Sequence, residues 1–174
     1  MRLDDDDFTL FGLPRRQALD RARLDERWRA LQAEAHPDRF AAEGAAAQRV
    51  AMQWAMRINE AHRRLKDPLS RAAYLCELAG APARADSNTA MPADFLAQQM
   101  QWREALEEAV DAAAVHALDA EVAAAEQQAM AEIERLLDAA GDAQAAAAQV
   151  RSVMFLRRFR HDVERRLDAI DPHR

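Results

Sequence analysis

The sequence predicts an all-α protein: a helical hairpin followed by an antiparallel three-helix bundle. Three observations carry that expectation. Alanine makes up about a quarter of the 174 residues, with only 4 Gly and 6 Pro, a composition that favours helix over sheet. Apolar residues recur at helical spacing in several separate stretches. The one long breaker-rich stretch runs from Gly80-Ala81-Pro82 through Asp86-Ser87-Asn88-Thr89 to Pro92 and coincides with a change of charge, from +4 over residues 8–80 to −7 over residues 81–174. The expected division is therefore one domain at 1–80, a linker at 81–92 and a second domain at 93–174.

The elements follow in order. Phe8-Thr9-Leu10-Phe11-Gly12-Leu13-Pro14 reads as an apolar opening segment with a short turn. Leu24, Trp28, Leu31 and Ala35 recur at i, i+4, i+7 and i+11, which predicts an amphipathic helix over 21–35 that Pro37 ends. Ala51, Trp54, Ile58, Ala61 and Leu65 mark a longer helix over about 44–66, antiparallel to the first. Asp67-Pro68 supplies an N-cap and a favourable first residue for a short helix over 68–79, and Gly80 suits its C-terminus. In the second half Pro92 starts a helix with the stripe Phe95, Trp102, Leu106 and Ala109. The next helix carries Val115, Leu118, Val122, Ala125, Ala129, Ile133 and Leu136 until Gly141-Asp142. The last, about 143–169, buries Val153, Leu156, Phe159, Val163, Leu167 and Ile170.

Composition also narrows the function. A net charge of −6 without a strong basic patch argues against nucleic acid as a partner. No apolar run is long enough to cross a membrane. Met1-Arg2-Leu3 followed by four aspartates reverses the order of a signal peptide, so the expected location is the cytoplasm. The single cysteine, Cys76, reads as a buried thiol. His62 reads as a surface or interhelix residue, and neither it nor His116 nor His161 pairs at metal-ligand spacing. No metal site and no cofactor is expected.

The most specific signal is His36-Pro37-Asp38 between the two antiparallel helices. Pro37 lacks an amide hydrogen and pushes its predecessor out of the α region, leaving a ring donor and a carboxylate on a stiff exposed loop. Groups held in this way can make charge-assisted hydrogen bonds to a partner at little ordering cost. An acid–base pair for hydrolysis is the other chemistry open to them, but no nucleophile, oxyanion donor or metal accompanies it, so no enzyme is expected.

The loop run His36-Pro37-Asp38-Arg39-Phe40, followed by Ile58-Asn59-Glu60-Ala61-His62 through Ser70-Arg71-Ala72-Ala73-Tyr74, resembles the J-domain. With Phe8 to Pro14 before it and Phe95-Leu96 through Trp102-Arg103-Glu104-Ala105-Leu106-Glu107-Glu108 after it, nearly the whole chain is similar to the HscB family of J-domain co-chaperones of iron–sulfur cluster assembly. The resemblance implies that His36, Pro37 and Asp38 stimulate ATP hydrolysis by a DnaK-class, HscA-type chaperone. It implies that Arg23, Arg27, Arg29 and Arg39 form the basic side turned toward that chaperone.

In the second half Leu96 and Met100 fall roughly 100–140° from Phe95 on a helical wheel. The bundle stripe does not need them. Glu104 and Glu108 continue the same i, i+4 row, and Phe155 lies about a quarter-turn off its own helix's stripe, so apolar residues stand beside carboxylates as at a partner site. The resemblance implies that Leu96, Met100, Glu104, Glu108 and Phe155 hold an IscU-type scaffold protein. Gln101 stands where relatives can carry another acid. A J-domain co-chaperone serving general unfolded clients is the alternative.

Overall fold

Local signals set where each helix starts and stops. The computed structural model describes residues 2, 4–83 and 91–170. Among these every regular element is helical: α1 Asp7–Phe11, α2 Arg21–Glu34, α3 Ala45–Lys66, α4 Pro68–Leu78, α5 Ala93–Glu108, α6 Ala112–Arg135 and α7 Ala143–Ile170. A 3-10 turn, Pro37–Glu43, separates α2 from α3, and a π turn, Leu136–Ala140, extends α6. The chain divides into two compact units, Met1–Leu75 and Cys76–Arg174. Of the expected linker, residues 84–90 lie outside the described residues.

In the first unit the expected opening segment forms a five-residue helix, α1. The aspartate run explains it: the Asp6 carboxylate accepts from the Phe8 and Thr9 amides, and Gly12 ends the helix at φ 63. There the Leu13 amide reaches the Phe8 carbonyl and the Gly12 amide the Thr9 carbonyl, the paired bonds of a left-handed C-terminal cap. Phe8 and Phe11 are fully buried.

α2 and α3 run antiparallel with a register written in side chains. Trp28 Nε1–H and Gln32 Nε2–H both donate to Asn59 Oδ1, at 2.9 and 2.7 Å. One turn nearer the base, Asp25 meets His62 at 2.7 Å, and the His62 ring stacks on Trp28. Leu24, Leu31, Ile58, Ala61 and Leu65 form the buried seam, whereas Trp28 and Trp54 are only half-buried. Beneath the seam Asp7 is buried with one carboxylate oxygen 2.7 Å from Arg57 and the other 3.3 Å from Arg64. α4 opens as expected, with Asp67 accepting from the Ser70 amide and hydroxyl. The Ala81 and Gly80 amides close it on the Cys76 and Glu77 carbonyls.

The second unit contains the three-helix bundle. α6 and α7 are antiparallel, clamped by Arg157 on Glu126 and by Arg160 on Asp119, each at 2.9 Å. α5 runs antiparallel to α6 and along α7: Trp102 Nε1–H donates to Glu121, and Arg166 of α7 donates to the Ala109 carbonyl. The core joins Trp102, Val115, Val122, Leu156, Phe159 and Val163. Asp111 and Asp142 cap α6 and α7 by accepting from the Ala114 and Ala145 amides.

Asp6 ties the α1 cap to solution pH. Burial of its carboxylate opposes ionisation, but hydrogen bonds from Arg15 and Thr9 outweigh it and lower the pKa to about 2. A group depressed in the folded state contributes stability that is present above its unfolded pKa and is lost as pH falls through the folded one. Acid unfolding should therefore show a loss of roughly 1–2 kcal/mol between about pH 4 and pH 2 that disappears in Asp6→Asn. Denaturant titrations at stepped pH measure it, and an unchanged slope in the variant would refute the assignment.

Candidate functional site

Pro37 ends α2 and starts the next turn, so the chain reverses within a few residues. His36 sits at φ −65, ψ 125 as the N-cap of the 3-10 turn, and its Nδ1 accepts from the Asp38 amide at 3.3 Å. That bond places the proton of a neutral ring on Nε2, directed away from the turn. The Asp38 carboxylate lies 3.6 Å from Nδ1; the side chains are 58% and 90% exposed. The expected loop is thus a capped turn that holds a donor and a carboxylate in water.

The four arginines do not share one face. Arg23 and Arg29 are exposed, with no side-chain hydrogen bond or ion pair among the described residues. Arg29 lies about 120° round α2 from Arg23 at 100° per residue. Arg27 is half-buried and donates from Nε to the Phe11 carbonyl at 2.9 Å, which commits part of its guanidinium to holding α1. Arg39 is exposed and donates to the Ala33 carbonyl, bracing the turn against the end of α2.

On α5, Leu96 is 44% and Met100 71% exposed. Gln101, Glu104 and Glu108 are also exposed. An i, i+4 row advances about 40° per step, so the row from Leu96 to Glu108 winds from the α7 side round to the outer face of the helix. Phe155 differs from them. It is half-buried, edge-on to Phe95 at 5.6 Å and stacked on Phe159 at 6.0 Å.

Over its free face lies the Arg103 guanidinium, 5.6 Å from the ring centre. Arg103 carries no expectation from the sequence. Its wheel position, about 20° from Leu96, was the available signal. Met154 is half-buried.

His62 is an interhelix residue, with a side chain only 13% exposed, and its hydrogen bond holds the Asp25 carboxyl below the usual range. Burial pushes the Cys76 thiol up to about 11, so it stays protonated near neutrality. Among the described residues no group of three or more His, Cys, Asp or Glu side chains could hold a metal ion. No helix among them is long and apolar enough to cross a membrane.

Residues 91–164 match the family model described as the HscB C-terminal oligomerisation domain. A co-chaperone protein HscB homolog of Cupriavidus taiwanensis is 49% identical over 173 residues, 98% of each chain. That of Bordetella petrii is 51% identical over 160 residues, 91% of this chain and 94% of the relative. Among solved structures, the chaperone HscB from Vibrio cholerae superposes with a TM-score of 0.77 at 38% identity, covering 95% of this chain and 99% of that one. Human co-chaperone HscB shares the fold, with a TM-score of 0.83 at 24% identity over 94% of this chain and 83% of that one. An all-α chain with a turn-capped hairpin and a separate bundle, matched end to end by such relatives, is a co-chaperone. It belongs to the HscB family.

Phe155 packs against two rings whereas Met100 is exposed, so the two should differ in what they add to stability. Phe155→Ala should lower the unfolding free energy by about 1–3 kcal/mol through lost aromatic packing. Met100→Ala should change it by less than about 0.5 kcal/mol. Urea unfolding followed by circular dichroism distinguishes them, and equal losses would refute the distinction.

Proposed function

We propose that the protein is a cytoplasmic co-chaperone of iron–sulfur cluster assembly that stimulates ATP hydrolysis by an HscA-type, DnaK-class chaperone and delivers an IscU-type scaffold protein to it. The observation that carries this reading is the His36-Pro37-Asp38 turn, rigidly capped yet open to water, in a chain whose other unit presents an exposed apolar row ending in carboxylates. No chemistry falls to this chain in the reading. The His36 Nε2–H and the Asp38 carboxylate bond polar groups of the chaperone, and Pro37 keeps both from rejoining a helix. Arg23, Arg29 and Arg39, spread round the hairpin, add a positive field that draws an acidic chaperone surface toward the turn, and Arg27 adds what its bond to Phe11 leaves free.

Leu96 and Met100 supply the apolar anchor for the scaffold, Phe155 widens it, and Glu104 and Glu108 pair with basic residues of the scaffold. Gln101 contributes hydrogen bonding without charge. Holding scaffold and chaperone in one complex raises the effective concentration of each for the other, so hydrolysis is triggered where the cargo is present.

Chaperone ATPase rates with this chain, with the scaffold and with both together test the reading. More-than-additive stimulation supports it, and a pull-down of assorted unfolded clients without scaffold would favour the general J-domain reading. His36→Gln should abolish stimulation while leaving scaffold affinity within about twofold, and parental stimulation by this variant would refute the loop assignment. Leu96→Ala with Met100→Ala should weaken scaffold binding by about tenfold or more, read by calorimetry. Unchanged scaffold affinity would refute the α5 assignment.

A further inference from the structure

Among the described residues of the first unit, α1 covers one end of the hairpin's apolar seam. α1 is five residues long, about 7 Å of helix, and its neighbours are Arg27 on α2 and Arg57 and Arg64 on α3. Toward the other end, among the described residues, only the 3-10 turn flanks the apolar seam. It opens as a pocket of about 450 Å³ floored by Ala35, Ala47 and Ala51. Phe40 of the 3-10 turn and Val50 and Trp54 of α3 form its walls, with Val50 51% exposed and the two aromatic residues half-buried. The alanine-rich start of α3 explains the hollow, because methyl groups cannot span the space between α2 and the turn.

At the rim stand Glu34 and Glu43, which make no ion pair among the described residues. An apolar hollow edged by two uncommitted carboxylates is complementary to an apolar side chain carried next to a lysine or arginine.

We propose that this pocket is a second docking point for the chaperone, receiving an apolar side chain of that partner with a cationic neighbour held by Glu34 and Glu43. The inference rests on the reading that His36-Pro37-Asp38 contacts a chaperone ATPase. Continuity supports the same partner: Phe40 follows Asp38 by two residues, about 4 Å along a 3-10 turn, so a protein touching the tip of the turn reaches the pocket. The pocket also gives the hairpin a negative contact beside Arg39 and the α2 arginines. A mixed pattern of this kind fixes the orientation of a bound partner where a uniformly basic face would not.

The test uses the full chain and purified ATP-bound HscA-type chaperone. Ala47→Trp fills the pocket from its floor and should raise the dissociation constant about tenfold. Glu34→Gln with Glu43→Gln should weaken binding about threefold at low salt and flatten its salt dependence. Should Ala47→Trp lose helical circular dichroism, Val50→Asp on the exposed wall is expected to weaken binding to a similar degree. Parental affinity in folded Ala47→Trp or Val50→Asp overturns the pocket, as does a loss confined to scaffold binding. His36→Gln is measured alongside: if it abolishes stimulation while the pocket variants bind like the parent, only the pocket inference fails. If it stimulates like the parent, the loop reading itself fails.

Discussion

The docking of α2 against α3 is the constraint on which the first unit depends. α2 fully buries little beyond Leu24 and Leu31, and a thin apolar seam specifies register weakly because helices can slide by a turn at modest cost. Polar groups supply what the seam lacks. The Asn59 amide oxygen accepts from two residues of α2 one turn apart, and a slip of one turn would break that pair of bonds and strand His62 without Asp25. The turn at Pro37 inherits its position from that register. Proline alone would only have ended a helix.

Two histidine–aspartate pairs in this unit show how exposure decides the use of identical chemistry. His62 and Asp25 are largely enclosed, stacked on Trp28 and further held by Arg21. Their hydrogen-bonding capacity is spent inside the fold. His36 and Asp38 meet only through the amide bond to Nδ1 and the carboxylate 3.6 Å from the same nitrogen, and leave Nε2–H and most of the carboxylate in water. Preorganisation without satisfaction is the physical signature of a recognition element, since the entropy of ordering is already paid before docking.

Much of this was legible in the sequence. Caps and breakers announce themselves through backbone chemistry, so the expected helices over 21–35, 44–66 and 68–79 end within a residue of α2, α3 and α4. The i, i+4 row on α5 was legible for the same reason, as periodicity fixes which residues the core leaves over. Less could be read where tertiary contact decides. α1 needed the Asp6 carboxylate to be counted as a cap instead of as part of an acidic run. Arg27 reads as one more surface arginine until the Phe11 carbonyl is placed beside it. Phe155 lies off the stripe by angle, yet Phe95 and Phe159 draw it half into the core, a result of neighbours on another helix that no single-helix wheel contains.

α5 owes its availability for binding to its place in the bundle. α6 and α7 form the long antiparallel pair clamped by Arg157 and Arg160, whereas α5 is shorter and rests on them mainly through Trp102 and Ala109, with Phe95 and Leu106 partly exposed. A helix held by a narrow stripe has most of its circumference left for contact with another protein. Among the described residues of α5, Leu96 and Met100 are the large exposed apolar side chains, with the partly exposed Phe95, Leu106 and Phe155 at their edge, so under the proposed reading a few side chains carry most of the affinity. The carboxylates that continue the row, Glu104 and Glu108, are exposed, and exposed charges of this kind are screened and orient a partner more than they anchor it. Arg103, seated over Phe155, flanks the apolar residues on the side away from Glu104 and Glu108, so under the proposed reading it discourages a partner that brings positive charge to the Phe155 edge and leaves the carboxylate side as the place for its cations.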